Sequence, residues 1–399
     1  MSKIDELLKN EKVEWKKLGD ICEIVRGVRV TKKDLIDNGQ YPVVSGGIGY
    51  MGYINQYNRD KDTITIAQYG TAGYVCWQNE KFWANDVCFS VYPNNKVLKK
   101  YLYHFLLQKQ DYLYSMSNKS AVPYSISKEK ILKIQIPIPS IEVQEKIVEI
   151  LDNFTNYVIE LQAELQARTK QYEYYRDMLL SEEYLEMLLT KPEFGVEGIY
   201  KTEWKMLSEI GSFQNGTGMP KSLFVEDDGI GAIHYGHIYT KYNLLVDKPI
   251  VKVSEQKASN LKKVYPGDLV IAKTSENIED VMKTVAYVGH DNAVTGGHAA
   301  IFRHNQNPKY LSYVFNGASY LLRQKNKLAR GVKVIELSIT DMEKIKIPVP
   351  TVKIQEHIVS ILDKFYTLLH DSSDGLQKEI ELRQKQYEYY REKLLDFKK

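Results

Sequence analysis

The chain has 399 residues, longer than one ordinary domain, so we expect two or three domains. With 43% hydrophobic and 26% charged residues, the composition is that of a soluble globular protein and not of a disordered one. The sequence shows no apolar run of about 18 residues, no signal peptide, and three cysteines (Cys22, Cys76 and Cys88), too few for a disulfide framework or a zinc site. These features predict a cytoplasmic protein without membrane contact.

The net charge of +3 hides an uneven distribution. Residues 140–189 carry four basic and eleven acidic side chains, and residues 351–399 carry nine of each. The rest of the chain is therefore net +10. Two basic bodies joined by acidic or neutral segments favour nucleic-acid binding, because binding depends on where the charge lies and not on its sum.

The first half opens with EWKKLGDICEIVRG at 14–27, followed by a body at roughly 28–132. Stretches such as DTITIAQYGTAGYVCW alternate short apolar runs with turn residues and predict strands, and KYLYHFLLQKQDYLYSM has the apolar spacing of a helix. The polar loop SNKSAVPYSIS follows at 117–127. We predict a mixed, β-rich domain with one late helix.

A long helix closes this half. Pro137 and Pro139 end an extended stretch, and Ser140 can cap the start of a helix. Apolar residues then recur in alternating steps of four and three for more than four heptads, and one arginine is the exception. The predicted seam is Ile147, Leu151, Phe154, Val158, Leu161, Leu165, Arg168, Tyr172, Tyr175 and Leu179. A helix of about 36 residues would be roughly 54 Å long.

The second half repeats this plan around a different body, roughly 217–343, in which PGDLVIAKTS and KTVAYVGH predict strands and PKYLSYVFNGASYLLRQKNKLA a helix. Three blocks of the frame recur, at offsets of 189, 211 and 215 residues. EWKMLSEIGSFQNG shares six of 14 positions with its counterpart, KIKIPVPTVKIQEHIVSILDKF 13 of 22, and KQYEYYREKLL nine of 11. These opening and closing blocks form a common frame. Because the frame recurs while the two bodies share little sequence, we expect the bodies to recognise two different targets.

The second seam differs from the first by one long step between Leu369 and Leu376. The four extra residues amount to about one helical turn, which keeps the seam on nearly the same face, and Ser372–Gly375 interrupts the helix in this interpretation. We expect Arg168 and Arg383 to pair with acidic neighbours or to point to the edge of the seam, and not to have a functional role. The second seam is Ile358, Leu362, Phe365, Leu369, Leu376, Ile380, Arg383, Tyr387, Tyr390 and Leu394.

Catalytic motifs are not evident. GTGMPKS at 216–222 resembles a phosphate-binding loop, but Pro220 stands where that loop needs glycine. No dinucleotide-binding, amino-methyltransferase or nuclease motif is recognisable. His234, His237 and His290, with GGH at 296–298, are the best candidates for metal ligands, but their spacing is not that of a metal site.

The loops of both bodies carry the chemistry of DNA reading instead. Glycine allows close backbone approach, lysine and arginine neutralise phosphates, and amide, hydroxyl and histidine side chains reach base edges. Five basic residues and no acidic one lie between Arg323 and Lys333. The candidate DNA-binding residues are Ser45, Gly46, Gly47, Tyr69, Thr71, Asn118, Lys119, Tyr124, Lys221, Tyr235, His237, Lys273, Thr274, Ser275, Lys327, Arg330 and Lys333.

Three sets of motifs occur in both halves: the EWKxL openings, the segments IPIPSIEVQEKIVEILD and IPVPTVKIQEHIVSILD, and the KQYEYYRxxLL motifs. Through them, nearly the whole chain resembles the specificity subunits of type I restriction–modification systems. The resemblance implies an α+β fold with two β-rich target-recognition domains, separated by a long antiparallel two-helix coiled coil and related by a pseudo-two-fold repeat. The domains would be residues 1–139 and 191–350, and the repeat helices 140–190 and 351–399.

The resemblance also implies partners. Each domain reads one half of a bipartite site in double-stranded DNA. The coiled coil sets an unread spacer, roughly six to eight base pairs given the DNA repeat of about 34–36 Å, and docks two methyltransferase subunits, which restriction endonuclease/translocase subunits join. S-adenosylmethionine, ATP and magnesium belong to those partners. Residues implied for the coiled coil and docking are Ile147, Leu151, Phe154, Leu161, Leu165, Tyr172, Tyr175, Ile358, Leu362, Phe365, Leu376, Ile380, Tyr387 and Tyr390.

Three alternatives remain open at this point. A fused restriction–methylation enzyme would methylate or cut DNA by itself. A structural or signalling coiled-coil protein would bind duplex DNA weakly and without dependence on salt, since phosphate contacts release counterions. A subunit of a related bipartite-recognition restriction system is a near neighbour of the first interpretation.

Overall fold

The computed structural model describes Leu8 and residues 11–195, 201–226, 228–370 and 375–397. The chain divides into two compact units, Met1–Ala163 with Lys378–Lys399, and Glu164–Gln377. Each unit combines one of the two bodies with parts of both closing segments. Within the described part of the chain, no helix has the length and hydropathy of a membrane span.

The first unit is an α+β structure with two larger sheets and a two-stranded ribbon. Its strands are β1 (Glu14–Lys17), β2 (Cys22–Arg26), β3 (Tyr41–Val44), β4 (Tyr53–Ile54), β5 (Thr63–Ala67), β6 (Val75–Gln78), β7 (Trp83–Ala84), β8 (Cys88–Pro93) and β9 (Gln135–Ile138). Its helices are α1 (Leu18–Ile21), α2 (Lys99–Gln108), α3 (Gln110–Met116), α4 (Lys128–Leu132), the beginning of α5 (Ile141–Leu179) and most of the last helix of the chain, Leu376–Leu395.

One sheet has the order β2-β8-β5-β6, antiparallel throughout, and the other has the order β4-β3-β7, in which β3 and β7 are parallel. Every residue of β5 is buried, as expected for a strand covered on both faces. The core of the unit joins Ile64, Ile66, Phe89, Tyr101 and Phe105, from the four-stranded sheet and α2.

The second unit continues from α5. Its further helices are α6 (Glu182–Leu189), α7 (Leu207–Ile210), α8 (Tyr235–Thr240), α9 (Glu255–Ala258), α10 (Pro308–Gly317), α11 (Ser319–Leu328), α12 (Ile339–Met342) and α13 (Val352–His370), and α14 (Leu376–Leu395) begins in it. Its strands are β10 (Glu203–Met206), β11 (Gly211–Asn215), β12 (Phe224–Val225), β13 (Ile230–Ile233), β14 (Leu245–Val246), β15 (Val251–Val253), β16 (Lys262–Val264), β17 (Leu269–Ala272), β18 (Thr274–Ser275), β19 (Thr284–Tyr287), β20 (Ala293–Thr295), β21 (Ala299–His304), β22 (Ile335–Glu336) and β23 (Lys346–Val349).

The sheets of the second unit repeat those of the first. The order β11-β21-β17-β19 matches β2-β8-β5-β6, with β14 added at one edge. The order β15-β13-β20 matches β4-β3-β7, including the parallel pair, with β12 and β16 added. The bodies, which share little sequence, therefore share their topology.

The repeated opening blocks and IP-x-P motifs pair with each other. Strands β1 and β9 form an antiparallel ribbon in which Trp15 faces Pro137, and β10 and β23 form another in which Trp204 faces Pro348. A two-stranded ribbon accommodates proline because one side of each strand needs no ladder hydrogen bond. The same register in both ribbons explains why these short motifs recur.

A repeated glutamine ties each closing helix to its body. The side chain of Gln144 accepts from Leu98 N–H (2.9 Å), ahead of α2, and donates to Pro139 O (3.0 Å). In the second unit the side chain of Gln355 accepts from Asn307 N–H (2.9 Å), ahead of α10, and donates to Pro350 O (2.8 Å). Both glutamines are fully buried, and both satisfy backbone groups that water cannot reach.

In each unit, one KQYEYYR copy packs on a helix of the other half of the sequence. In the first unit, Tyr390 stacks on Phe154 with ring centroids 5.0 Å apart, and Arg383 lies over Tyr157 (5.0 Å), so α14 runs antiparallel to α5 there. In the second unit, Tyr175 stacks on Phe365 at 5.2 Å. Each body is thus completed by the repeat that follows the other body.

The seam residues of both helices are buried or half-buried, except Arg168, which is exposed. Arg168 pairs with Glu164 (3.4 Å), and Arg383 pairs with Glu379 (3.2 Å). Helix α13 ends at His370 and α14 begins at Leu376. Most of the predicted interruption, Ser372, Ser373 and Asp374, lies outside the described residues.

Candidate nucleic-acid interface

The three loops of the first unit that the sequence assigned to DNA lie side by side. Thr71 N–H donates to Gly46 O (2.9 Å), and Gly70 N–H donates to Tyr124 O (3.0 Å). Gly70 has a φ of +76°, and a Cβ there would stand 2.8 Å from Gly46 O, so the close approach of the loops requires glycine. We call this surface the first recognition face.

The candidate residues of the first recognition face are accessible. Gly47, Asn118, Lys119 and Tyr124 are exposed, whereas Ser45, Gly46, Tyr69 and Thr71 are half-buried. Lys119 is the single cation among these candidates. The face therefore offers mainly hydroxyl, amide and aromatic groups.

The candidate loops of the second unit also converge. The ammonium group of Lys273 donates to the Asn215 side chain (2.9 Å) and lies 4.0 Å from the carboxylate of Glu336. The rings of Tyr235 and His298 have centroids 5.0 Å apart. These contacts bring the loops after β11, β13, β17, β20 and α11 to one place, which we call the second recognition face.

The second recognition face is rich in cations. Lys221, Lys327, Arg330 and Lys333 are exposed, and Lys273 is half-buried together with Thr274 and Ser275. The Arg330 side chain is 83% exposed although Asp341 lies 3.9 Å away. A dense set of accessible cations is what phosphate binding requires.

The structure corrects the charge count of the stretch 323–333. Lys325 is 4% exposed, and its ammonium group donates to Glu279 O (2.8 Å) and Val281 O (2.7 Å). Burial lowers the pKa of Lys325 to about 8. This lysine holds α11 to the loop before β19 and is not available to DNA.

The histidines proposed as metal candidates have other contacts. The rings of His234 and His237 lie 5.4 Å apart, and His234 Nδ1 accepts from Gly236 N–H (3.1 Å). Burial, with help from nearby Lys221, lowers the pKa of both imidazoles, which favours their neutral forms. Among the described residues, no three His, Cys, Asp or Glu side chains gather as a metal site would require.

The two recognition faces occupy equivalent places. The loops with Ser45 and His234 follow the equivalent strands β3 and β13, and those with Tyr69 and Lys273 follow β5 and β17. The third loop is bridged to the second in both units, through Tyr69 and Ser125 in the first and through β18 and β22 in the second. One scaffold thus presents two different sets of side chains.

Sequence reasoning missed residues that the structure adds to the first face. Buried Asn85 accepts from Val30 N–H (3.1 Å), and its amide lies 3.5 Å from Ser45 Oγ, so it ties the segment after β2 to the face. That segment contains the exposed Lys32 in a 3₁₀ turn, Lys32–Asp34, which matches the turn Lys221–Leu223. Extending the offset of 189 residues beyond the opening block would have paired Lys32 with Lys221.

Comparison with known proteins gives a consistent result. The profile of the Type I restriction modification DNA specificity domain matches residues 10–171 and again 201–382. The chain is 32% identical over its whole length to the specificity subunit of the type I restriction enzyme EcoR124I/EcoR124II of Escherichia coli, covering 98% of that protein. It is 29% identical to a putative type I specificity subunit of Haemophilus influenzae, over 99% of this chain and 98% of that one.

Solved structures agree at the level of the fold. The crystal structure of the type I restriction–modification S subunit from M. genitalium aligns over the whole of both chains, with a TM-score of 0.58 and 16% identity. A chain from a study of complex assembly in the type I system aligns over 97% of this chain and 98% of its own length, with a TM-score of 0.57 and 16% identity.

Proposed function

This chain belongs to the type I restriction modification DNA specificity family, and we propose that its two recognition faces read the two halves of a bipartite, asymmetric DNA site. As a member of that family, it supplies sequence recognition in a restriction–modification system and has no catalytic activity of its own. Each unit contacts one half-site of the duplex, and the bases between the half-sites are not read.

The observation that carries this proposal is one scaffold bearing two different faces. The sheet orders, the ribbons and the buried glutamines recur in both units, whereas the loops at the faces differ in sequence and charge. Two copies of one face would suit a symmetric site. Two different faces on equivalent strands suit half-sites that differ from each other.

We further propose that the repeat helices dock two methyltransferase subunits. The seam tyrosines of KQYEYYR are buried or half-buried, whereas the middle tyrosine is largely exposed: Tyr174 is 67% exposed and Tyr389 is 54% exposed. Packing inside the chain gives no reason for the same large aromatic residue at both exposed positions. Two identical partner subunits, each needing the same contact, give one.

The remaining partners follow from the same proposal. S-adenosylmethionine, ATP and magnesium bind to the methyltransferase and restriction subunits, and the complex acts in the cytoplasm, where its DNA lies. The repeat helices act as the spacer between half-sites, with roughly six to eight unread base pairs, because DNA repeats every 34–36 Å or so.

Methylome sequencing tests the recognition proposal. Cells would express this chain with its neighbouring methyltransferase gene, or either gene alone. We expect a split, asymmetric methylated motif when both are present and none otherwise. Methyl transfer to DNA by the purified chain alone, or a palindromic motif, would contradict the proposal.

Substitution of Tyr174 and Tyr389 tests the docking proposal. We expect Y174A and Y389A each to weaken one of two methyltransferase contacts, and the double variant to weaken both, without a change in the unfolding of the chain itself. Analytical ultracentrifugation of the mixed subunits measures the stoichiometry. Q171A is a matched control at a neighbouring exposed position of the same motif. Unchanged assembly of the double variant would exclude these tyrosines as contacts.

A further inference from the structure

The two most exposed large hydrophobic side chains among the described residues are both valines of the recognition faces. Val122 is 97% exposed and Val332 is 95% exposed. Water contact with an aliphatic side chain is unfavourable, and single exposed apolar residues are common on protein surfaces. What calls for an explanation is that the two extremes stand at equivalent places in two loops of unrelated sequence.

In the first unit, Val122 lies in a loop with a fixed base. Asn118 N–H donates to Ser125 O (2.7 Å), which closes the loop, and Ser125 is bridged to Tyr69 on the neighbouring loop. Pro123 restricts the backbone directly after the valine. The valine is therefore held outward by a closed loop.

In the second unit, Val332 lies in a loop with the same kind of base. Arg330 N–H donates to Glu336 O (2.9 Å) and Glu336 N–H donates back to Arg330 O (2.8 Å). Gly331 has a φ of +107°, and a Cβ there would stand 2.0 Å from Val334 O, so the turn before the valine is specific to glycine. Strand β22, which includes Glu336, pairs with β18 and anchors the loop to the rest of the face.

Each of these loops carries polar or cationic side chains, and the second loop also contains Val334, which is 59% exposed. Asn118, Lys119 and Tyr124 lie in the loop of Val122, and Arg330 and Lys333 in that of Val332. Polar and cationic side chains suit phosphates and base-edge hydrogen bonds, whereas an aliphatic side chain suits neither. In the major groove, the apolar group that a duplex offers to such a side chain is the C5 methyl of thymine.

We propose that Val122 and Val332 each contact the C5 methyl of one thymine, so that each half-site contains at least one A·T pair that the protein reads by an apolar contact. The inference rests on the proposed function, since it assumes that both faces lie on DNA. It assigns an equivalent specificity residue to each unit, although the loops share no sequence motif.

The test uses the full complex of this chain with its methyltransferase and a duplex that carries the methylated motif. Each thymine of the motif is replaced in turn by deoxyuridine, which removes the methyl group and keeps the hydrogen-bonding edge. We expect one replacement in each half-site to weaken binding about threefold to fivefold, the effect of one buried methyl group.

Valine variants then assign the contacts. With V122A, the replacement in one half-site should lose its effect while that in the other half-site keeps it, and V332A should show the reverse. V122I and V332I, which keep an aliphatic side chain, should retain the sensitivity of the natural chain. V122T and V332T have nearly the shape of valine but carry a hydroxyl. These variants should lose part of the sensitivity to deoxyuridine.

Several results would overturn the inference. One is a half-site without any A·T pair, and another is binding that no deoxyuridine replacement changes. A third result has two parts: V122A binds more weakly but keeps its sensitivity to deoxyuridine, and 2-aminopurine fluorescence differs between the complexes of the natural chain and of V122A. This result would indicate that the valine acts as a wedge between stacked bases. Failure of the natural complex to bind any specific site would instead contradict the proposed function, so the two failures are distinguishable.

Discussion

The two units differ most in their solvent-exposed loops and are most alike in their buried frame. In both, a ribbon of the same register and a buried glutamine join the body to its closing helix, and a Phe–Tyr stack joins two of the long helices. The first recognition face offers hydroxyl, amide and aromatic groups with two exposed cations, Lys32 and Lys119, whereas the second offers four exposed cations and a fifth that is half-buried.

This difference teaches which positions are constrained by folding. A buried hydrogen bond or ring stack fixes both partners, because replacing one leaves a polar group unsatisfied or a cavity. An exposed loop on a closed base has no such constraint. The frame can therefore stay constant while the faces change, and each face can take up a new half-site without disturbing the assembly of the whole.

The largest expected effect comes from the charges of the second face. Reversal of Lys327, Arg330 and Lys333 to glutamate should weaken DNA binding and reduce the slope of log K against log salt by about three, since each phosphate contact contributes about 0.9. K119E on the first face should reduce the slope by about one at most. Binding isotherms at several salt concentrations measure both.

The control for this comparison keeps the charge. K327R, R330K and K333R together preserve the number of cations, so the salt slope should stay at its original value even if sequence preference changes. An equal loss of slope from the two faces would show that charge is not divided between them as the structure indicates.

A smaller and symmetric effect is expected from the frame. Q144A removes the acceptor for Leu98 N–H, and Q355A removes the acceptor for Asn307 N–H. Each leaves buried polar groups without partners, which costs about 1–3 kcal/mol of unfolding free energy. Urea unfolding of each variant measures this cost, with the exposed Q171A as a control that should change it by less than about 0.5 kcal/mol. A cost in one unit and none in the other would break the equivalence of the frames.

Sequence alone predicted the frame better than the faces, for a physical reason. Repeated blocks and the heptad seam are periodic, and burial follows periodicity: Ile147, Leu151, Ile358 and Leu362 are all fully buried. The charge of this stretch is not periodic, so Lys325 counted as an accessible cation although it is buried between α11 and the loop before β19. Nor could spacing show that Asn85 connects to Ser45, since that contact depends on how distant strands come together.

The subtlest difference between the units lies where the body meets the helices, and it predicts a dependence on pH. In the first unit, buried His104 donates through Nε2–H to Asp152 (2.8 Å) and accepts at Nδ1 from the Tyr387 hydroxyl (3.0 Å), beside Lys100. In the second unit, Lys309 and the Tyr313 hydroxyl donate directly to Asp363, both at 2.8 Å.

Burial lowers the pKa of His104, and the nearby Lys100 and Arg391 act in the same direction, against the opposing effect of Asp152. The unfolded chain, with a histidine pKa of about 6.5, therefore binds a proton more readily than the folded one, and the first unit loses stability as the pH falls below about 6.5. Tyr313 has no such effect, because burial raises its pKa away from this range.

A reciprocal exchange isolates this contribution from the other histidines. H104Y should remove part of the difference in urea midpoint between pH 7.5 and pH 5.5, and Y313H should add to it. Hydrogen exchange of the amides of α2 and α10, corrected for the intrinsic effect of pH, locates each change in the first or the second unit. If H104Y leaves the pH dependence as it was, the buried imidazole does not titrate on unfolding in this range. If Y313H does not increase the pH dependence of the urea midpoint, the surroundings of the residue, and not its identity, set the difference between the two units.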